Sequence, residues 1–116
     1  MAKKTILIVD DEIYKEMMKI ILSNYLNDIE IITASNGKEA KNIITENNKI
    51  DLIITDLEMP IMNGTELIDW LKFESNLNIP IILMSGMPNP QHNANYFIRK
   101  GTNIEKIIEI VKKLLS

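Results

Sequence analysis

Five short apolar runs, separated by longer amphipathic or polar stretches, constrain the fold of this chain most. Residues 5–9, 52–54 and 81–84 are continuously apolar, which is typical of strands covered on both faces in a parallel sheet. Ile29–Ala34 alternates more and is a candidate edge strand, and residues 96–98 form a short fifth candidate. Strands that alternate with helices form βαβ units, so the pattern predicts a mostly parallel, doubly wound α/β sheet.

Helical periodicity fills the intervals between these runs. A first helix follows the first run, and a second, with a narrower stripe, covers residues 38–46. An apolar stripe of this kind is typical of the side of a helix that faces a core. The first stripe comprises Ile13, Met17, Ile20, Ile21 and Tyr25, and the second comprises Ala40, Ile43 and Ile44.

Capping residues mark the start of two further helices. Asn63 can cap a third helix in which Glu66 lies three residues on, and Thr102 with Glu105 forms a second capping box. Ile110 falls outside the apolar stripe of the last helix, where it can be exposed. The two stripes are Leu67, Ile68 and Leu71 in the third helix, and Ile104, Ile107, Ile108, Val111 and Leu115 in the last.

The segment between the fourth and fifth runs departs from the helical pattern. Residues 86–95 contain two prolines and three asparagines, which disfavour a regular helix. This crossover is therefore predicted to be mostly loop, with at most one helical turn.

Acidic residues end two of the apolar runs. Asp10 and Asp11 close the first run, and Asp56 closes the third before a Met-Pro and an Asn-Gly turn. In open α/β sheets the carboxyl ends of the strands are where ligands bind. Three carboxylates cannot share a small pocket as bare anions, so the pattern predicts a bound cation or strongly raised pKa values.

Length and composition exclude several classes of protein. The 116 residues predict one domain, 1–116, and the absence of cysteine excludes disulfides, thiolate metal sites and cysteine catalysis. The formal charge of −3 gives no electrostatic support for nucleic-acid binding. The sequence shows neither a signal peptide nor an apolar run of about 18 residues that could span a membrane, which fits a cytoplasmic protein.

Four motifs, in order and each at the end of an apolar run, resemble the receiver domain of bacterial two-component response regulators. They are Val9-Asp10-Asp11-Glu12, the run from Asp56 to Gly64, Met84-Ser85-Gly86, and Phe97-Ile98-Arg99-Lys100. The resemblance covers essentially the whole chain. It implies a stand-alone, CheY-like phosphoprotein with a five-stranded, flavodoxin-like sheet in the order 2-1-3-4-5. The residues of this chain between Ser85 and Phe97 predict, in departure from that family, a short or missing fourth helix.

The resemblance also implies roles for the acidic residues. Asp56 matches the phosphoacceptor, whose carboxylate becomes an aspartyl phosphate. Asp10 and Asp11 match the pair that holds Mg²⁺, with Asp11 and Asp56 as direct ligands and Asp10 acting through water. Glu58 would offer its backbone carbonyl. Phosphoryl transfer needs alignment and charge neutralisation more than covalent help, and Mg²⁺ prefers such oxygen ligands.

Three further residues complete the set that the resemblance implies. Ser85 matches the hydroxyl that contacts the phosphoryl group, Lys100 the lysine that pairs first with Asp56 and then with phosphate, and Phe97 the aromatic switch residue. A sensor histidine kinase or phosphotransfer protein would supply the phosphoryl group, and an unknown protein would receive the signal. The chain would catalyse only its own phosphorylation and dephosphorylation.

The chain departs from the family pattern at three places. It has Lys100-Gly101 where the family usually has Lys-Pro, so a trans peptide bond is expected. The shortened segment between Ser85 and Phe97 removes much of the usual output surface. Glu58 places a carboxylate two residues after Asp56, where it can repel or position an attacking water.

Three alternative interpretations remain at this point. The chain can be a docking module that works without phosphorylation, a receiver excised from a larger regulator or hybrid kinase, or a flavodoxin-like cofactor binder. The intact set of site residues weighs against the first, and the way the chain starts and stops weighs mildly against the second. The third would need a phosphate-binding loop where this chain has Asp-Asp-Glu. His92, the only histidine, lies in a polar loop and is expected to be solvated.

Overall fold

The computed structural model describes residues 3–10, 13–47, 49–88 and 90–116. Strands and helices alternate along these residues until β4, which β5 follows without a helix between them. The elements are β1 (Lys4–Val9), α1 (Ile13–Tyr25), β2 (Ile29–Ala34), α2 (Gly37–Glu46), β3 (Leu52–Asp56), α3 (Gly64–Phe73), β4 (Ile81–Ser85), β5 (Tyr96–Arg99) and α4 (Ile104–Leu115).

The five strands form one parallel sheet in the order β2-β1-β3-β4-β5. This confirms the order predicted from the sequence. β2 lies at an edge and is the least buried long strand, whereas all of β4 and nearly all of β3 are buried. In register, Asp56 pairs with Met84 and Ser85 with Arg99, so the carboxyl ends of β3, β4 and β5 lie at one edge of the sheet.

Alternate residues of each buried strand point to opposite sides of the sheet. Because these residues are apolar on both sides, helices cover both faces. On one face, Ile6 and Ile8 of β1 pack in a cluster with residues of α1 and α4. On the other, Leu7 and Val9 pack in a cluster with residues of α2 and α3. This two-sided core is the doubly wound arrangement that the apolar runs predict.

The apolar stripe assigned to α1 from the sequence is wrong for most of its members. Ile13, Met17, Ile20 and Tyr25 are 80%, 46%, 63% and 56% exposed, and only Ile21 packs on the core. The buried residues of α1 are Met18 and Leu22, and neither belongs to the predicted stripe. The helix carries apolar residues over much of its circumference, so periodicity alone could not identify the face that contacts the sheet.

The start of α4 also differs from the prediction. Asn103 is the N-cap, and its side chain accepts a hydrogen bond from the Lys106 N–H at 2.9 Å. Thr102 instead donates its hydroxyl proton to the Arg99 carbonyl at 2.6 Å. Ile110, which the stripe left outside, is half-buried against the core. Both Thr and Asn can cap a helix, and the sequence did not show which of the two neighbours does so.

The other two internal helix starts follow common capping chemistry. Asn63 and Glu66 form the predicted capping box at α3, with hydrogen bonds in both directions. Asn36 caps α2 by accepting from the Glu39 N–H at 2.9 Å. In the part of the chain that the structure describes, no helix is both long and apolar enough to cross a membrane.

The crossover between β4 and β5 contains no helix within residues 86–88 and 90–95, as predicted. Its second half is nevertheless fixed to the body of the domain. Asn95 Oδ1 accepts hydrogen bonds from the Ile81 N–H at 2.9 Å and from Lys72 Nζ at 3.2 Å. Asn93 Nδ2 donates to Asp69 Oδ1 at 3.0 Å. Side-chain amides thus replace the contacts that a helix would make.

Candidate functional site

The candidate site lies at the carboxyl edge of the sheet, where four predicted residues meet. Asp10 follows β1, Asp56 ends β3, Ser85 ends β4 and Lys100 follows β5. Lys100 Nζ lies 3.1 Å from Asp10 Oδ2 and 3.3 Å from Asp56 Oδ1, so one ammonium bridges the two carboxylates. The tertiary fold therefore brings residues 90 positions apart into one ion-paired cluster.

The loop after β3 fixes the orientation of Asp56. The Leu57 N–H donates to Asp56 Oδ1 at 2.9 Å, and the Gly64 N–H donates to the Leu57 carbonyl at 2.8 Å. A Cβ atom at position 64 would overlap the Asp56 carbonyl oxygen. The Asn-Gly sequence therefore starts α3 and also lets its first turn approach the backbone of Asp56 closely.

Burial and charge act in opposite directions on the two ions at the centre. Burial raises the pKa of Asp56, the negative charge of Asp10 raises it further, and Lys100 with the Leu57 N–H only partly offsets these effects. Burial lowers the pKa of Lys100, but its hydrogen bond to Asp10 and the two carboxylate charges raise it more, so its pKa is above the ordinary value. The site therefore favours a cation beside Asp56.

A cavity of about 280 Å³ opens beside this cluster. Ser85 is 4% exposed, and its Oγ accepts a hydrogen bond from the Met87 N–H at 3.0 Å. The Lys100 N–H donates to the Ser85 carbonyl at 2.8 Å, which joins the ends of β4 and β5. The cavity is lined by Asp56, Glu58, Ser85, Gly86, Met87 and Lys100. It has room and hydrogen-bond donors for a small anion bonded to Asp56.

Phe97 lies on β5, half-buried against the core cluster of α2 and α3. Its ring centroid is 6.0 Å from that of His92, and the Ala94 N–H donates to His92 Nδ1 at 3.1 Å. The polar loop predicted a solvated His92, but its side chain is half-buried beside Phe97. The hydrogen bond from Ala94 closes a short turn in the loop, and the imidazole lies beside Phe97 of β5.

Sequence reasoning missed one aromatic residue of the site. The Tyr14 ring, in the first turn of α1, has its centroid 4.4 Å from Lys100 Nζ. Burial raises the pKa of Tyr14, Lys100 lowers it, and Asp10 and Asp56 raise it further. Its place soon after Asp10 in the sequence was the only signal, and the predicted apolar stripe included its neighbours Ile13 and Met17 but not Tyr14.

The carboxylates at this edge fit a magnesium ion. Asp10 and Asp56 direct oxygen atoms at one cationic group, and hard oxygen donors are the ligands that Mg²⁺ prefers. Burial and, after it, the negative charge of Asp10 raise the pKa of Asp56, and a divalent cation beside the carboxylate would favour its ionised form. Asp11 lies outside the described residues, and within the described ones no group of three or more His, Cys, Asp or Glu residues forms a metal cluster.

Comparison with known proteins gives a consistent family match. Residues 6–112 match the family model described as the response regulator receiver domain. The polar-differentiation response regulator DivK of Brucella anthropi is 26% identical over 100% of this chain and 98% of DivK. The solved structure of the response regulator TrrA from Thermotoga maritima, in complex with Mg²⁺-BeF, has a TM-score of 0.85 and 34% identity over 97% of this chain and 99% of that one.

Some relatives are much longer. The autoinducer 1 sensor kinase/phosphatase LuxN of Vibrio campbellii is 37% identical over 71% of this chain, but the match spans only 9% of LuxN. Domains of this kind thus occur both alone and as small parts of large sensor proteins.

Proposed function

We propose, from the premise that the chain belongs to the family of response regulator receiver domains, that Asp56 is the phosphoacceptor of this protein. The chain is a receiver of two-component phosphorelay signalling. The single observation that carries the assignment is the bridge from Lys100 Nζ to Asp56 Oδ1 and Asp10 Oδ2 at the mouth of a cavity that also contains Ser85. We take residues 1–116 as one receiver domain.

The chemistry assigns one role to each residue. Asp56 Oδ1 accepts from both Leu57 and Lys100, so we assign nucleophilic attack to Oδ2. An oxygen–phosphorus bond forms at Asp56 while the bond between phosphorus and the donor nitrogen breaks, and the donor imidazole keeps that electron pair. Lys100 pairs with the charge that develops on the phosphoryl oxygens, and Ser85 donates its hydroxyl proton to one of them.

We propose that Asp11, Asp56 and the Glu58 backbone carbonyl would bind Mg²⁺ directly, and that Asp10 would hold it through water. The bound ion would neutralise negative charge and align the phosphoryl group for in-line transfer. The Mg²⁺-BeF complex of TrrA, which is 34% identical, supports this proposal. The Glu58 side chain is exposed at the rim of the cavity, where it can act on the water that later hydrolyses the phosphoryl group.

The same site indicates the kind of phosphoryl donor and how phosphorylation would be signalled to another protein. Receiver domains interact with histidine kinases or phosphotransfer proteins, and we propose such a protein as the cytoplasmic donor. When Ser85 turns toward the phosphoryl group it gives up its bond from the Met87 N–H, and the loop that carries Met87 moves. Phe97 is the proposed aromatic switch, and its contact with His92 links it to the same loop. Residues 86–88 and 90–95 contain no helix, so we propose that a downstream protein recognises the changed loop where the family usually presents its fourth helix.

The test is the intact mass after incubation with acetyl phosphate and Mg²⁺. We expect one phosphoryl adduct in the wild type, none in Asp56→Asn, and none when a chelator removes the ion. Asp69→Asn is the matched control, because it removes a carboxylate on α3 outside the site and should keep the adduct. No adduct on folded wild-type protein at saturating Mg²⁺ would contradict the proposal and favour a docking module that works without phosphorylation.

A further inference from the structure

The Lys100 N–H donates to the Ser85 carbonyl at 2.8 Å, which fixes the backbone of Lys100 but not the position of its ammonium group. A lysine side chain is a flexible four-carbon stem whose tip must be placed by contacts. The next residue, Gly101, has a φ of +97°, and nothing lies within 4 Å of the position where a Cβ would be. Contacts at the tip must therefore hold the ammonium in place.

Three groups contact that tip, and they differ in how they respond to phosphorylation. The carboxylates of Asp10 and Asp56 lie at 3.1 Å and 3.3 Å from Nζ. A phosphoryl group on Asp56 would change that carboxylate, and a divalent cation would compete for both. The Tyr14 ring, with its centroid at 4.4 Å, attracts a cation through its electron-rich face and undergoes neither change.

Tyr14 is itself held firmly. It lies in the first turn of α1 and packs, half-buried, against the core cluster that contains Met18 and Leu22 of the same helix. It is not among the residues that line the 280 Å³ cavity, so its ring does not occupy the space proposed for the phosphoryl group. The contact that joins the Tyr14 ring to the site is the one with the Lys100 ammonium, and an effect of the ring on the reaction is therefore expected to act through Lys100.

We infer that Tyr14 is a positioning residue, whose ring face holds the Lys100 ammonium beside Asp56 before and during phosphoryl transfer. This inference rests on the proposed function of the site and adds a residue to it. A lysine that is already in place loses less conformational freedom in the transition state, so the rate of phosphorylation rises. Because the ring's attraction does not depend on the state of Asp56, the ammonium stays near the site as its anionic partners change.

The first test is a series of substitutions that changes the ring's electrons at almost constant size. Tyr14→Phe should keep the phosphorylation rate constant with acetyl phosphate within about twofold of the wild type, because the ring face remains. Mono-, di- and trifluorophenylalanine at position 14 should lower it stepwise, and Tyr14→Leu should lower it about tenfold, which corresponds to about 1.4 kcal/mol. If Tyr14 only packed against its neighbours, the phosphorylation rate constant would be the same for all the fluorinated variants, and that result would overturn the inference.

Two controls separate the contact from general damage to α1. Tyr25→Leu removes the exposed tyrosine at the other end of the same helix and should leave the rate constant unchanged. In a Lys100→Met background, Tyr14→Leu should cause no further loss, because the ring would have no ammonium to hold. If the double variant lost as much activity as the losses of Tyr14→Leu and Lys100→Met combined, Tyr14 would not act through Lys100.

A measurement without Mg²⁺ or phosphate distinguishes failure of this inference from failure of the proposed function. Protons on the Lys100 Cε, next to the ammonium, should be shifted upfield in NMR spectra by the Tyr14 ring. Tyr14→Leu should abolish that shift, and Tyr25→Leu should preserve it. Absence of the shift in wild-type protein would overturn the inference even if Asp56 is phosphorylated. A wild type that shows the shift but forms no adduct would contradict the proposed function and support the ring–ammonium contact.

Discussion

At the scale of single residues, Asp56 is placed as much by Gly64 as by its own strand. The Gly64 N–H holds the Leu57 carbonyl at 2.8 Å, and Leu57 in turn donates to Asp56 Oδ1 at 2.9 Å. A Cβ at position 64 would also lie 3.0 Å from the Leu57 Cα. The loop can therefore close around Asp56 only if residue 64 lacks a side chain.

Gly64→Ala is expected to damage both stability and the site. The added methyl would overlap the Asp56 carbonyl oxygen and push α3 away from β3, at a cost of about 1–3 kcal/mol in the free energy of unfolding. Displacement of Asp56 should also slow phosphorylation by at least about tenfold. Urea unfolding and intact mass measure the two effects. Gly86→Ala is the control for stability, since nothing lies within 4 Å of its Cβ position, and equal losses in both variants would contradict the argument.

The raised pKa of Asp56 predicts how pH affects stability without Mg²⁺. The folded state binds the Asp56 proton more tightly than the unfolded state, so ionised Asp56 opposes folding. This penalty is absent below the ordinary pKa of 3.8, grows as pH rises through the raised pKa, and is constant above it. Asp56→Asn cannot ionise, so it should stabilise the protein at about pH 7 by about 0.5–2 kcal/mol.

Urea unfolding in the presence of EDTA, repeated between about pH 4 and pH 7, measures this gain. The gain of Asp56→Asn over the wild type should shrink toward the acidic end of the range. A gain that is the same at every pH, or a loss at neutral pH, would show that ionised Asp56 is not under strain in the folded protein.

At the scale of elements, α1 and the crossover after β4 are where the chain departs from its simplest interpretation. α1 contacts the sheet through Met18 and Leu22, and it presents Ile13 and Ile20 to solvent. The crossover replaces a helix with side-chain amides that bind to α3 and β4, notably that of Asn95. In both elements the local sequence pattern allowed more than one arrangement. Packing against neighbouring elements determined the buried face of α1 and the contacts of the crossover.

Two substitutions on α1 test its orientation. Leu22→Ala removes a side chain that is 0% exposed and should lower the free energy of unfolding by about 2–5 kcal/mol. Ile20→Ala, at a position that is 63% exposed, should change it by no more than about 0.5 kcal/mol. Urea unfolding of both variants gives the comparison. A large loss in Ile20→Ala with a small one in Leu22→Ala would mean that the other face packs on the sheet.

At the scale of the whole molecule, the parallel sheet concentrates negative charge at one edge. Parallel strands all end on the same side, so Asp10 and Asp56 meet although they are far apart in the chain. Lys100 compensates part of that charge from the last strand. A cation that binds only to the folded arrangement must therefore stabilise the entire domain.

Mg²⁺ is expected to raise the stability of the wild type with concentration. At about 100 times its dissociation constant, the gain in the free energy of unfolding should be about 2.7 kcal/mol. Asp10→Asn and Asp56→Asn should each reduce the gain strongly, because each removes a carboxylate proposed to hold the ion, directly or through water, whereas Asp69→Asn should retain it. Thermal unfolding as a function of Mg²⁺ concentration measures the effect. An equal gain in the wild type and in Asp10→Asn would contradict the proposed ligand set.

The sequence by itself determined the strands, the missing crossover helix and the family, and the resemblance to that family implied the strand order. Continuous apolar runs, capping residues such as Asn63, and motifs at strand ends are local signals that need no tertiary information. Tertiary structure alone decided which face of α1 is buried, which residue caps α4, and that Tyr14 and His92 lie against Lys100 and Phe97. The physical reason is that these choices depend on which side chains from distant parts of the chain fill the same space. Local periodicity and capping preference give nearly equal alternatives there, and only packing and charge across the fold distinguish them.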